Sequence, residues 1–235
     1  MYGAAVSSCA PDIRAGFLRK VYGLLSCQLL ATVVVSCWFM FHEPTRFFVT
    51  HNQPMRFLTL IATFGFLFAA HAYKHSHPLN LGLLAGFTLT IAYSVGSTCA
   101  LFQANGMGNI VLQAFFLTAL TTMGLTAYTL RSKQDFSFMG AGLMAGLFAL
   151  IVGGLVEAIV FLVTGVMSPV VSLALGVVGA VIFSGFIVYD THLMSTRMTP
   201  DQYVEASISL YLDIINLFME FLRILSILNG GGSRD

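Results

Sequence analysis

The sequence predicts an all-α membrane protein, a bundle of seven spanning helices. Three observations carry that reading: hydrophobic content, the spacing of long uncharged runs, and the positions of the prolines. Of 235 residues, 57% are hydrophobic and 9% charged, where a soluble domain carries roughly a quarter charged residues. Lipid is therefore the main solvent of this chain. A spanning helix takes about 20 apolar residues, so seven of them leave room for short loops and tails but not for a second folded domain. The net charge is +1, from 11 basic and 10 acidic residues. That balance, without any basic tract, excludes nucleic acid as a partner.

The uncharged runs fall at about 21 to 41, 56 to 73, 79 to 102, 109 to 130, 137 to 164, 169 to 189 and 204 to 228. Pro44, Pro54, Pro78, Pro169 and Pro200 lie in or beside the connections, where a fixed φ and a missing donor disturb no helix interior. The expected plan is an N-terminal tail at 1–20, a seven-helix transmembrane domain at 21–228 and a short C-terminal tail at 229–235. No cleavage site of small residues follows a short apolar region, so the N-terminus is expected to be retained. With that end cytosolic, Arg14, Arg19, Lys20, Lys74, Arg131, Lys133 and Arg197 are inside, and only Arg46 and Arg56 lie in the outer loops. The positive-inside rule favours this orientation. Asp213, Glu220 and Arg223 interrupt the last run, which either spans or dips and returns, so the side of the C-terminus is open.

Small residues recur at four-residue spacing at Gly82 and Gly86, at Gly142 and Gly146, and at Gly176, Ala180 and Ser184. Such spacing lets helix backbones approach closely, within one bundle in preference to across a dimer. Cys9, Cys27, Cys37 and Cys99 are scattered, with neither a disulfide framework nor a zinc spacing.

An ionisable side chain at mid-bilayer costs roughly 2.5 to 3.5 kcal/mol on insertion scales, so each one asks for a reason. Glu157, Asp190 and Asp213 are the candidates. Two antiparallel helices joined by a short loop can bring Asp190 and Asp213 to similar depth. On a helical projection Gln202, Glu205, Ser209, Asn216, Glu220 and Arg223 fall within roughly 80° of one side of Asp213. This stripe faces either a bundle interior or, if the segment lies flat, the membrane surface. Paired carboxylates at low dielectric share a proton, so they can sense pH or receive a cation. Asp190, Asp213 and Asn216 supply oxygen ligands only, which suits calcium. Alone, Asp190 reads equally as a solvated helix end. Glu157 either marks a pore mouth or snorkels. His71, His75 and His77 cluster with Lys74 ahead of Pro78 and read as a solvated loop, and His192 as an interface residue. A hydrolytic zinc site takes about three protein ligands plus a water, and only His71 and His192 approach the spans. No nucleophile elbow or phosphate-binding glycine loop appears, so no enzyme activity and no cofactor are expected.

Ile187-Val-Tyr-Asp-Thr-His192 followed by Ala206-Ser-Ile-Ser-Leu-Tyr-Leu-Asp-Ile-Ile-Asn-Leu-Phe218 resembles the signature of the transmembrane Bax inhibitor motif, or Lifeguard, family. Phe17-Leu-Arg-Lys-Val-Tyr22, His77-Pro-Leu-Asn-Leu81, Leu125-Thr-Ala-Tyr-Thr-Leu130 and Lys133-Gln-Asp-Phe-Ser137 resemble its Golgi anti-apoptotic branch. The resemblance implies a seven-helix bundle with the last helix central. It implies a pH-sensitive calcium leak in Golgi or endoplasmic reticulum membranes that lowers stored calcium and inhibits apoptosis, with calcium as permeant ion. It maps the family's paired aspartates onto Asp190 and Asp213, binding calcium transiently, and places Lys74 where relatives carry a latch arginine. A lysine offers a point charge in place of a bidentate fork. The alternative is a non-conducting scaffold that suppresses apoptosis by binding partner membrane proteins, its polar stripe serving only to fix packing. Either form is expected as a monomer or weak homo-oligomer.

Overall fold

The computed structural model describes residues 5–73, 76 and 78–230. Among them are eight α-helices and one short 3-10 turn, and no strand. The helices are α1 (Pro11–Phe41), α2 (Glu43–His51), α3 (Gln53–Ala72), α4 (Leu79–Ala104), α5 (Gly108–Arg131), α6 (Met139–Thr164), α7 (Pro169–Thr196) and α8 (Tyr203–Gly230). Pro11, Pro44 and Pro54 sit in the first turns of α1, α2 and α3, Pro169 opens α7, and Pro78 precedes α4. At these positions a missing N–H removes no helical bond. The Asn52 side chain accepts from the Met55 amide at 3.1 Å and caps α3. Gly165 ends α6 at φ 70°, a left-handed conformation that glycine adopts without penalty.

Six helices, α1 and α3 to α7, are long and apolar enough to cross a membrane. The α8 helix is as long, but every 18-residue stretch of it holds at least three of Glu205, Asp213, Glu220 and Arg223. Two boundaries depart from the sequence reading. The first helix begins at Pro11, ahead of the apolar run, so the second half of the expected 1–20 tail is helical. Hydropathy finds the apolar part of a helix, and Arg14, Arg19 and Lys20 hide the rest; the Lys20 ammonium lies 5.2 Å from the centroid of the Tyr203 ring. The connection expected at 42–55 holds the separate helix α2, with Phe47 and Phe48 exposed.

The chain divides into two compact units. The first comprises Met1–Gly108 with Met194–Tyr211. Its core joins Phe17, Val21 and Leu25 of α1 with Phe87, Ala92 and Val95 of α4. Phe39 meets Tyr93 edge-on at 5.4 Å. A methyl group on Gly96 would lie 3.0 Å from the Phe39 ring, and one on Gly86 would meet the Phe66 ring at 2.5 Å, so α4 packs closely on both α1 and α3. The N-terminal turn is tied down as well: the Val6 amide donates to the Met198 carbonyl at 2.8 Å and Ser7 Oγ to the Thr196 carbonyl at 2.6 Å.

The second unit comprises Asn109–Leu193 with Leu212–Asp235. Here α6 packs on α7 through glycines on both helices: added methyl groups on Gly140, Gly146 and Gly185 would lie 2.6 to 2.8 Å from Tyr189, Ile182 and Leu143. Gly140 is the one buried residue of α6, whose other faces expose Phe148, Leu155, Leu162 and Val163. An apolar helix so exposed suits hydrocarbon and not water. Of the small residues singled out by spacing, Gly86, Gly146 and Gly176 meet close neighbours, while nothing lies within 4 Å of an added methyl on Gly82 or Gly142.

Candidate functional site

The second unit places Asp190 of α7 and the mid-helix Asp213 of α8 together, with their carboxyl groups within hydrogen-bonding reach of each other. Asp213 is 7% exposed, and its Oδ2 is buried without a hydrogen-bond partner. A hydrogen bond between two carboxyls needs one proton, and two bare carboxylates would repel strongly in so dry a place. The pair is thus a buried centre that can hold a proton or replace it with a cation.

The local sequence explains how two acids come to lie there. Gly-Phe-Ile-Val-Tyr-Asp carries α7 in helical register past the expected end of the span, so Asp190 lies within the helix and not in solvent at its tip. On α8, Ile214, Ile215, Leu217 and Phe218 are buried along with Asp213. Asn216 spends its amide N–H on the Leu212 carbonyl at 2.8 Å, so its Oδ1 is the atom left to meet a ligand.

A second polar group stands seven residues along α8, about 10 Å away at 1.5 Å per residue. Glu220 forms an ion pair with Arg223 at 3.6 Å and lies close enough to Glu157 of α6 for their charges to repel. Glu157 Oε1 and Glu220 Oε2 are buried atoms without hydrogen-bond partners. Glycines on α7 make the space: a methyl on Gly179 would come within 2.7 Å of the Glu220 carboxyl carbon, and one on Gly176 within 3.3 Å of the Arg223 side chain. Along the polar stripe read from the sequence, Gln202 Nε2 donates to Glu205 Oε2 at 3.2 Å.

Lys74 lies outside the described residues, as do His75 and His77. His71 is exposed near the end of α3. Among the described residues no group of three or more histidines, cysteines or acids is arranged to hold a metal ion.

Two arrangements escape sequence reading. His192 is not merely an interface residue: its Nε2 lies 3.0 Å from Oδ1 of Asp135 in the α5–α6 connection. Asp135-Phe-Ser is legible as an Asx turn, since Oδ1 accepts the Ser137 amide at 2.8 Å, but a partner 57 residues away leaves no local signal. In the first unit a buried polar network runs through Gln28, Thr32, Thr88 and Tyr211. Gln28 Nε2 donates to Thr88 Oγ1 at 3.2 Å, and the Thr32 and Tyr211 hydroxyls are 2.7 Å apart. Gln28 and Thr32 at i, i+4 on an apolar helix were its one visible sign.

A chain with six helices long and apolar enough to span, and an acid pair where α7 meets α8, is a multi-pass membrane protein. The chain belongs to the Bax inhibitor, or Lifeguard, family: the family model described as inhibitor of apoptosis-promoting Bax1 matches residues 14–230. It is 42% identical to protein lifeguard 4 of Mus musculus over 228 residues, covering 97% of this chain and 92% of the mouse protein. To the Golgi anti-apoptotic protein of vaccinia virus (strain Lister) it is 41% identical, with the same coverage. The BI1-like protein of Arabidopsis thaliana is 40% identical over 217 residues, 91% of this chain and 81% of the plant protein. These matches bear out the family and branch resemblance read from the motifs.

Proposed function

We propose that this protein is a pH-sensitive, calcium-permeable leak of Golgi or endoplasmic reticulum membranes that lowers stored calcium and so inhibits apoptosis. The observation that carries the reading is the contact between the Asp190 and Asp213 carboxyls, with Asp213 Oδ2 buried and unpartnered. An unpartnered carboxylate oxygen at that depth costs free energy that a dehydrating cation or a proton recovers. Oxygen-only chemistry at Asp190, Asp213 and Asn216 suits calcium, and Glu157 with Glu220 gives a departing ion a second acidic stop. No step of this process is catalytic.

In this reading α8 is the seventh crossing and the central helix, which accounts for four charged side chains on a segment where no residue before Leu228 is exposed. The N-terminus is cytosolic, following the charge asymmetry of the loops, and residues 21–228 form the transmembrane domain. The name of the vaccinia relative, Golgi anti-apoptotic protein, supports the anti-apoptotic role and the Golgi.

The test is calcium efflux from liposomes containing only the purified protein. Asp213→Asn lowers the flux at least threefold, whereas Glu43→Gln, which alters an exposed acid of α2, leaves it at the parent level. Flux from Asp213→Asn equal to that of the parent at matched incorporation would remove the leak and leave the scaffold reading in its place.

A further inference from the structure

The α5–α6 connection and the first turn of α6 reach α7 at two points that bracket Asp190. On one side, Tyr189 lies flat against the start of α6: a methyl group on Gly140 would come within 2.7 to 2.9 Å of Oη, Cζ and Cε2 of its ring. On the other, His192 is bound to Asp135 at 3.0 Å, and its ring meets Phe136 edge-on at 5.6 Å. Phe136 is buried and in turn meets Tyr128 of α5 at 6.0 Å. Asp135 is fixed by the Ser137 amide, and the Phe136 carbonyl accepts the Met139 amide at 3.1 Å, so the connection is a structured turn leading into α6.

Residues 189 and 192 are i, i+3 neighbours and share one face of α7, and Asp190 lies about 100° around the helix from Tyr189. Two ties on one face resist rotation about the helix axis, which a single tie would permit. The rotation they set decides whether the Asp190 carboxyl faces Asp213. A turn of one residue would carry it away from its partner while leaving α7 helical.

We propose that Asp135, Phe136 and Gly140 form a clamp on Tyr189 and His192 that fixes the rotation of α7, making Asp135 and His192 positioning residues for the Asp190–Asp213 pair. The consequence for flux rests on the leak reading, but the clamp itself does not. While the clamp holds, the two carboxyls stay in contact. Releasing it lets Asp190 swing from Asp213 and leaves the centre free to pass a cation. The dominant contribution is the hydrogen bond from His192 and not a surface charge, because Asp135 itself is largely exposed to solvent, where ion pairs contribute little.

The experiment compares the parent with Asp135→Ala, Asp135→Asn, His192→Ala and the double variant Asp135→Ala with His192→Ala, reconstituted in lipid nanodiscs. Asp135→Asn keeps an oxygen that can accept from both Ser137 and His192, so it is the conservative control. Amide hydrogen exchange in residues 187–193 is expected to rise about tenfold in Asp135→Ala, to match the parent within twofold in Asp135→Asn, and to be unchanged in α1 of every variant. The double variant is expected to exchange no faster than either single one, as for two groups that act through one contact. Unchanged exchange at 187–193 in Asp135→Ala, or a rise spread evenly over all helices, would overturn the clamp. Calcium efflux measured on the same variants is expected to rise at least threefold in Asp135→Ala and to return to the parent level in Asp135→Asn. If the parent shows no efflux above protein-free liposomes, the leak reading fails and the exchange arm still judges the clamp. If Asp213→Asn abolishes efflux while Asp135→Ala matches the parent in both readouts, the leak stands and the clamp falls.

Discussion

Thr32 of α1 and Tyr211 of α8 hold their hydroxyl oxygens 2.7 Å apart in a buried site, two residues before Asp213. Thr32 Oγ1 directs its only proton to the Gln28 carbonyl at 2.9 Å, so Tyr211 is the donor between the two hydroxyls. The Tyr211 ring also stands edge-on to Phe87 of α4 at 6.2 Å. Hydrogen bonding therefore holds the first third of α8 against α1, and aromatic contact holds it against α4, in a medium where apolar burial alone gives helices little reason to associate.

Removing that hydroxyl is expected to destabilise the protein while sparing its packing. Tyr211→Phe keeps the ring against Phe87 and loses one buried hydrogen bond, a cost of about 0.5 to 1.5 kcal/mol. The melting temperature in mild detergent should fall by a few degrees, and Thr32→Val should give a similar fall. The double variant should cost less than the sum of the two, because both remove the same bond. Additive losses would show that the hydroxyls do not act on each other.

Glycine positions make a sharper contrast, because two of them lie two residues apart on the same helix. Gly140→Ala places a methyl group 2.7 to 2.9 Å from the Tyr189 ring, so the ring or the helix must shift to admit it. A loss of about 1 to 3 kcal/mol is expected, the usual cost of overpacking. Gly142→Ala meets nothing within 4 Å and should gain up to about 1 kcal/mol of helix propensity. Thermal unfolding of the two variants side by side decides the matter. Equal shifts would mean that α6 does not rest on Tyr189.

Much of the architecture was legible because lipid imposes a simple pattern. Runs such as 109–130 and 137–164 reappear as α5 and α6 to within two residues, since a helix crossing hydrocarbon must be apolar throughout and is punctuated by proline or glycine. The aspartates were legible for the converse reason, as charges where charge is costly. What hydropathy does not show is amphipathic or polar helix: the first turns of α1, the whole of α2, and the ties of Asp135 to His192 and Thr32 to Tyr211. Each of these depends on a contact distant in sequence or on a helix whose charges lie outside the hydrocarbon. What stands opposite the α8 stripe, Asp190 beside Asp213 and Glu157 near Glu220, was hidden because a helical projection gives direction around an axis and nothing about what stands there.

Seven crossings place the two ends of the chain on opposite sides of the membrane, and a last helix that dips and returns places them on the same side. Single cysteines at residues 12, 133 and 229, in a background with Cys9, Cys27, Cys37 and Cys99 replaced, test this with a membrane-impermeant thiol reagent. In sealed vesicles whose cytosolic face points outward, residues 12 and 133 are expected to label and residue 229 to be protected until detergent is added. Labelling of all three would leave α8 inside the membrane but not across it. Protection of residue 133 would overturn the cytosolic assignment of the N-terminus.

The dependence of leak on pH should carry the mark of two interacting acids. With both carboxyls ionised, the pair repels and binds a cation too firmly to release it. One shared proton weakens that hold and lets an ion through whenever the shared-proton contact opens, and a second proton removes the charge that attracts the ion. Flux is therefore expected to rise and then fall as pH drops through roughly 5 to 8, the window expected of coupled carboxyls. The acid in the α5–α6 connection has no part in this. Hydrogen bonding by Ser137, whose amide donates to it, followed by the contact with His192, pulls the Asp135 carboxyl down to about 2. A carboxyl held below its unfolded value of about 3.9 contributes stability that is present above that value and lost as pH falls toward 2. Asp135 consequently stays ionised across the whole of that window. Asp190→Asn leaves a lone carboxyl at Asp213, which has one proton to gain and no partner to share it, so its profile should collapse to a single sigmoid step without a maximum. Efflux from liposomes buffered in half-unit steps, at matched protein density, gives both curves. Superimposable profiles for the parent and Asp190→Asn would show that Asp190 does not titrate with Asp213, and the source of any pH response would then lie elsewhere in the chain.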